Sequence, residues 1–258
     1  MKLSSSPTIC RKALLPEARS FARQVGFDWI ALFRTWTASS PVHPDFSVGM
    51  VRDTVREHDV TLSELNIRNL TGRKADSDER NLPYNLRQLE WDRPLTRTLG
   101  LSSVNIKGGS RTSEAMEDLI EGCNRLVDSV PEISLNLGNH VGNRLETLDD
   151  LPKVFSNLDG KVNVLLDTGH FLSPGQNGIA IAEKFANRIG VVHLRDQKAD
   201  QPVPFGEGDL PFGSLFDVLN GAGYTGDLAI EMETVTWANP LEATIEAREF
   251  LEDFLGKR

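Results

Sequence analysis

The sequence predicts a single (β/α)8 barrel over residues 1–258, and three observations carry that expectation. Short runs of β-branched residues and leucine, the mark of strands covered on both faces, alternate with longer segments of helical periodicity. Eight such repeats can be counted, and regular βα alternation implies a parallel sheet because each crossover is a helix. The length of 258 residues suits one barrel of ~250 residues with no remainder. Finally, three late strands each deliver a potential ligand at the carboxyl end. These are Val162–Asp167, followed by Thr168-Gly169-His170; Gly190 to Asp196, carrying His193; and Gly226 to Glu233, carrying Glu231. In a parallel barrel those ends converge on one face, where active sites are built.

The elements follow in order. Leu3 to Ser6 reads as a first strand, and Pro16 to Gln24 as a helix with proline in its first turn. Gly26 to Phe33 is the second strand, followed by a loop with Arg34, Trp36 and His43 and a helix near Phe46 to His58. Val60 to Asn66 is strand three, although Glu64 blurs its alternation. Thr71 to Asn81 is charged and reads as an exposed loop, before a helix over Leu82 to Leu99. In strand four, Ser103 to Lys107, Val104 and Ile106 share one face, and Asn105 and Lys107 the other; packing the apolar pair on helices points the polar pair into the barrel. Met116, Leu119, Ile120, Cys123, Leu126, Val127 and Val130 form a helical stripe. Strand five is Ile133 to Leu137, and Thr147 with Asp150 suggests the cap of a helix running to Phe155. Ile179 to Asn187 and Phe212 to Leu219 read as helices. Asn239-Pro240 starts the last one, with Leu241, Ile245, Leu251, Phe254 and Leu255 facing inward.

Composition narrows the function. Net charge is −9, and no basic run exceeds two residues, which disfavours nucleic acid and anionic membranes as partners. Cys10 and Cys123 form no CxxC pair and read as small hydrophobes in a reducing compartment. The first residues lack the apolar core of a signal peptide, and no apolar run approaches membrane-spanning length, so a cytoplasmic location is expected. No GxGxxG follows the first strand, which argues against a dinucleotide.

Asp167, His193 and Glu231 are hard or borderline donors on three successive strand ends. Two carboxylates and an imidazole suit one divalent ion such as Mn²⁺, Mg²⁺, Co²⁺ or Zn²⁺. Capping of neighbouring helices, or pairing with arginine, is the alternative. His170 could contact substrate oxygen or tune a ligand, or be a solvated loop residue. Asn136 and His140 lie along the strand-five face of Gly138, and a histidine there could equally be structural. Glu207 sits between Gly206 and Gly208, where backbone can approach a ligand closely. Lys107 and Arg195, and more weakly Arg34, are partners for an anionic or hydroxyl-rich substrate.

Asp-Thr-Gly-His at 167–170, His-Leu-Arg-Asp at 193–196, Gly-Glu-Gly at 206–208 and Gly-Tyr-Thr-Gly-Asp-Leu-Ala-Ile-Glu-Met-Glu at 223–233 resemble the xylose-isomerase-like superfamily. The resemblance runs from about Asn136 to the C-terminus; earlier it rests on the strand–helix rhythm and Gly26-Phe27-Asp28. It implies a single (β/α)8 TIM barrel with Asp167, His193 and Glu231 on the metal, Glu231 also as acid/base, and His170 on the substrate. The implied activity is isomerisation or epimerisation of a small sugar, polyol or keto sugar acid through a metal-stabilised enediolate. Such barrels often dimerise, so a homodimer is a further expectation. One departure stands out. Where relatives commonly read Leu-Glu-Asn-His, this chain reads Leu137-Gly138-Asn139-His140, and where strand two commonly carries Glu it has Ala31. With the strand-five carboxylate gone, two-base epimerisation loses a partner, and dehydration or decarboxylation fits better. Gly138 is expected to leave open volume toward which His140 could lean as ligand or proton donor. A non-catalytic sugar-binding relative is the reading from another class, and a nuclease is disfavoured by the acidic balance.

Overall fold

The computed structural model describes residues 1–34, 37–39, 48–67, 69–71, 82–172, 175–233 and 237–256. The strands are β1 (Lys2–Ser5), β2 (Trp29–Phe33), β3 (Thr61–Asn66), β4 (Ser103–Lys107), β5 (Ser134–Gly138), β6 (Val162–Asp167), β7 (Ile189–Leu194) and β8 (Asp227–Ile230). They form a closed, all-parallel barrel in which each strand lies beside its sequence neighbours. Closure falls between β1 and β8, where Lys2 to Ser5 register with Asp227 to Ile230. The expected (β/α)8 architecture is therefore the architecture found.

Local chemistry explains the helices around it. In α1 (Leu15–Val25) the buried Leu15, Ala18, Ala22 and Val25 recur at steps of three and four, Pro16 occupies the first turn, and Gly26 closes the end at φ +93°. The helices α2 (Val48–Glu57), α3 (Leu82–Thr98) and α4 (Ser113–Ser129) follow. Thr112 Oγ1 caps α4 by accepting from the amide of Ala115 at 3.2 Å, and Leu119, Cys123, Leu126 and Val127 of the predicted stripe are buried. Next come α5 (Asp150–Phe155), α6 (Thr168–Leu172), α7 (Gly178–Phe185) and α8 (Phe212–Gly221). Asn239 caps α9 (Pro240–Leu255) through the amide of Glu242 at 3.3 Å.

Several details depart from the expected pattern. Strand five is shifted by one residue, so Gly138 belongs to it. The pairing of Thr147 with Asp150 is real but inverted: the Asp150 carboxylate accepts from the Thr147 amide at 3.0 Å and its hydroxyl at 2.9 Å, and also from Arg111. The short helix α6 and a hairpin pairing 197–198 with 201–202 had no periodic signal long enough to read. The stretch carrying Trp36 and His43 and most of the Thr71–Asn81 segment lie outside the described residues.

The apolar core sits between barrel and helices. Val104, Ile106, Leu135, Leu137 and Val164 point outward against fully buried helix residues such as Leu119 and Leu126. Each such side chain contributes about 1.5–3 kcal/mol by burial, so this outer layer carries the stability. The alternate positions point inward and can be polar. Glu64, Asn105, Asn136 and His193 are all buried inside the barrel.

Candidate metal centre

At the carboxyl end of the barrel the register sets Asp167 beside His193. Glu231 follows directly on β8, its amide donating to the Leu194 carbonyl at 3.0 Å. One donor atom from each of Asp167, His193 and Glu231 lies within 4.8 Å of the others, and all three residues are buried. His193 Nδ1 stands 3.0 Å from Glu231 Oε2 and 3.9 Å from Asp167 Oδ2.

The loop chemistry around these donors explains their placement. Asn139 clasps the backbone of Asp167: its Nδ2 donates to the Asp167 carbonyl and its Oδ1 accepts from the Asp167 amide, both at 2.8 Å. Thr168 ties the turn to β7 by donating to the Arg195 carbonyl at 2.7 Å and accepting from the Arg195 amide at 2.8 Å. Asp-Thr-Gly-His is thus a turn that fixes where the Asp167 carboxylate points. Likewise Asp196 organises the Gly-Glu-Gly loop, its carboxylate accepting from the amides of Gly206 at 2.8 Å and Gly208 at 3.0 Å. Gly206 lies at φ +92°, and a Cβ at Gly208 would run into the Asp196 carboxylate, so the loop needs both glycines.

The other predicted residues separate into groups. His170 is buried beside Asp167, with Nε2 3.5 Å from Asp167 Oδ2 and 3.8 Å from Glu233 Oε1. His140 packs on it at 3.8 Å between ring centroids, and His140 Nδ1 donates to the Val141 carbonyl at 2.6 Å. Arg195 is buried in carboxylates, 2.7 Å from Glu233 Oε1 and 3.5 Å from Glu231 Oε2. Arg34 pairs with Asp92 Oδ1 at 2.8 Å in the interior. Asn136, at 1% exposure, lies deep in the barrel and donates to Asn105 Oδ1 at 2.8 Å. Glu207 is exposed at the tip of its loop.

Gly138 does not leave open space. A Cβ there would meet Lys107 Cδ and Leu165 Cδ2, each at 3.0 Å. The Lys107 stem runs through the volume that a longer residue would need, and its Nζ reaches Asp167 Oδ2 at 3.1 Å. The expected vacancy is corrected to a lysine, which alternation along the strand could place on the inner face but could not extend to Asp167. His140 leans on His170 instead of toward Gly138.

Two carboxylates escaped the sequence reading. Glu233 lies two residues beyond Glu231 on the same face; the Glu-Met-Glu spacing was the available signal. Glu64 touches His193 Nε2 at 2.9 Å from the opposite side of the ring, and its break in the β3 pattern was the signal there.

Electrostatics follow from this crowding. Burial alone would depress the His193 imidazole, yet Glu64 and Glu231 outweigh it and raise it to about 10. Burial would raise Asp167, but His170, Lys107, Arg195 and His193 hold it well below its ordinary value. His170 is itself pushed well below its usual range by burial, with help from His140, Arg195 and Lys107 against Asp167, so it is neutral near pH 7 and the two long cations do the holding. Glu233 is raised by burial and by Glu231. Glu64, Asp167, Glu231 and Glu233 thus crowd around Lys107, Arg195 and a protonated His193, and a divalent cation taking the place of the imidazole proton would offset the carboxylate charge. The donor set therefore fits a divalent ion in both chemistry and charge.

Three buried donor side chains converging at the mouth of a closed parallel barrel define a (β/α)8 protein with a candidate cation site there. The chain belongs to the xylose isomerase-like TIM barrel family, whose sequence profile matches residues 20–254. An inosose dehydratase of Geobacillus thermodenitrificans (strain NG80-2) is 30% identical over 168 residues, 56% of either chain. Another, of Clostridium tetani (strain Massachusetts / E88), is 31% identical over 165 residues, 55% of each. The chain thus matches these curated relatives over about half their length. Among solved structures, an L-ribulose 3-epimerase superposes with a TM-score of 0.79 at 18% identity, covering 99% of this chain and 95% of that one. The IOLI protein with a bound zinc atom superposes at 0.78 and 18% identity, covering 100% and 99%. Likeness at that identity establishes the fold. Among the described residues no helix is long and apolar enough to cross a membrane.

Proposed function

We propose that this protein is a divalent-metal-dependent lyase that removes water from a keto-polyol of the inosose type. The observation carrying the reading is the asymmetry of the site. Asp167, His193 and Glu231 converge on one side, while the volume beside Gly138 is filled by the Lys107 stem and Leu165. The similarity to inosose dehydratases supports the substrate class.

Asp167, His193 and Glu231 would hold the ion, which supplies Lewis acidity toward a substrate carbonyl. The chain's own residues do the rest. Glu231 takes the proton from the carbon next to the carbonyl and returns it to the hydroxyl leaving the adjacent carbon. One C–H and one C–O bond break, a C=C bond forms, and water departs. A single carboxyl suffices because the proton leaves and returns on one face, whereas epimerisation needs a proton acceptor and a donor on opposite faces. Lys107 Nζ and neutral His170 bind substrate oxygens, and His140 steadies the His170 ring. Arg195 holds Glu231 and Glu233 in place, Glu207 offers an outer contact, and Asn136 supports the interior.

The test is to incubate ion-loaded and chelated protein with an inosose and, separately, with free ketoses. Loss of one water from the inosose, seen by mass spectrometry and abolished by chelation, is the expected result. Efficient C3 epimerisation of a ketose with no dehydration would overturn the reading in favour of an epimerase.

A further inference from the structure

Glu64 is a fully enclosed carboxylate on β3, 129 positions from His193 in the chain, yet 2.9 Å from its Nε2. Burying a carboxylate costs several kcal/mol unless donors satisfy it, and here they do. Oε1 accepts from His193 Nε2 and from Asn66 Nδ2 at 3.0 Å, and Oε2 accepts from Asn105 Nδ2 at 2.8 Å. Because an ionised carboxylate can only accept, each of these three partners must be donating. The Asn105 amide is turned the same way by its other neighbour, since its Oδ1 accepts from Asn136 Nδ2 at 2.8 Å. Donation from Asn136 through Asn105 and donation from His193 Nε2 therefore converge on the Glu64 carboxylate.

That arrangement leaves the ring one free choice. Once an ion takes the place of the second imidazole proton, the remaining proton is held on Nε2 by Glu64 and the lone pair lies on Nδ1, the atom facing Glu231 Oε2 at 3.0 Å and Asp167 Oδ2 at 3.9 Å. We infer that Glu64 is a positioning residue of the cation site: it fixes the His193 ring and its proton so that Nδ1 is presented to the ion, and Asn105 and Asn66 hold Glu64 in that task. The inference rests on the metal reading given above.

The experiment is a calorimetric titration of Mn²⁺ into metal-free wild type and Glu64→Gln. Glutamine cannot accept from all three donors, because its NH₂ must face one of the asparagine amides. Affinity should fall roughly 10- to 100-fold, with stoichiometry unchanged. Unchanged affinity in Glu64→Gln, with wild type binding normally, overturns this inference alone. Absence of binding by wild type overturns it together with the functional reading. A measurement on unmutated protein decides the matter if the variant does not fold. In ¹⁵N-histidine NMR of Zn²⁺-loaded wild type, the His193 proton should reside on Nε2 and the ion on Nδ1. The reverse assignment would refute the role given to Glu64.

Discussion

At the scale of single residues, the exchange of a carboxylate for Gly138 matters through Lys107. The lysine stem needs the space that a side chain at 138 would take, so the two positions act as a pair. In Gly138→Glu the new side chain must push Lys107 away from Asp167 and bring a further carboxylate to the cation site. The variant should bind Mn²⁺ more tightly than wild type while turning over its native substrate more slowly. Equal affinity and equal turnover would show that Lys107 and Gly138 are independent. Glu231 is the second decisive residue. Glu231→Gln preserves shape but removes the proton acceptor, and turnover should fall by roughly 10²-fold or more. Near wild-type turnover would confine Glu231 to a holding role.

At the scale of elements, the 206–210 loop shows how a sequence motif becomes a shape. Asp196 gathers four backbone amides, those of Gln197, Gly206, Gly208 and Leu210, onto one carboxylate just past β7. Hydrogen bonds to a charged group contribute about 1.5–3 kcal/mol each, with exposed loop amides recovering much of that from water. Asp196→Ala should therefore destabilise the protein by roughly 2–4 kcal/mol, read as a lower urea midpoint with little change in slope. No change in midpoint would mean the loop holds its shape without the carboxylate. The turn after β6 uses the same economy, with Asn139 and Thr168 fixing the backbone on either side of the Asp167 side chain.

For the whole molecule, the crowded mouth links ion binding, pH and stability. In ion-free protein His193 is raised to about 10 from an ordinary value near 6.5, so its stabilising contribution is complete below about 6.5 and is lost as pH rises through about 10. Asp167, Glu64 and Glu231 are lowered, so their contribution is present above the ordinary carboxylate range and is lost on acidification. Urea midpoints of stripped protein should accordingly decline on both sides of a neutral plateau, and the alkaline decline should vanish in His193→Gln. An alkaline limb that survives this substitution would assign it to another group. A bound ion adds stability by mass action, about 2.7 kcal/mol when free ion is at 100 times Kd. Chelation should lower the melting temperature of loaded protein reversibly, and indifference to chelation would count against a resident ion.

Several of these features are legible in the linear chain. Eight buried strands at regular spacing specify parallel crossovers, and closure follows from their number and the right length. Asp167, His193 and Glu231 are readable as a group because each lies at or next to the carboxyl end of its own strand, and those ends must meet in any such barrel. Helix caps at Thr112 and Asn239 are local chemistry and are visible as such. What only the tertiary structure decided is contact across the interior. Alternation tells which face a residue takes but not how far its side chain reaches, so the Lys107 stem beside Gly138 could not be foreseen. Nor could Glu64, whose partner lies four strands away along the chain and becomes a neighbour only when the barrel closes. A carboxylate on β3 looks like a defect in a hydrophobic pattern until the imidazole it faces is known, because burial of charge is decided by the partner and the partner by the fold.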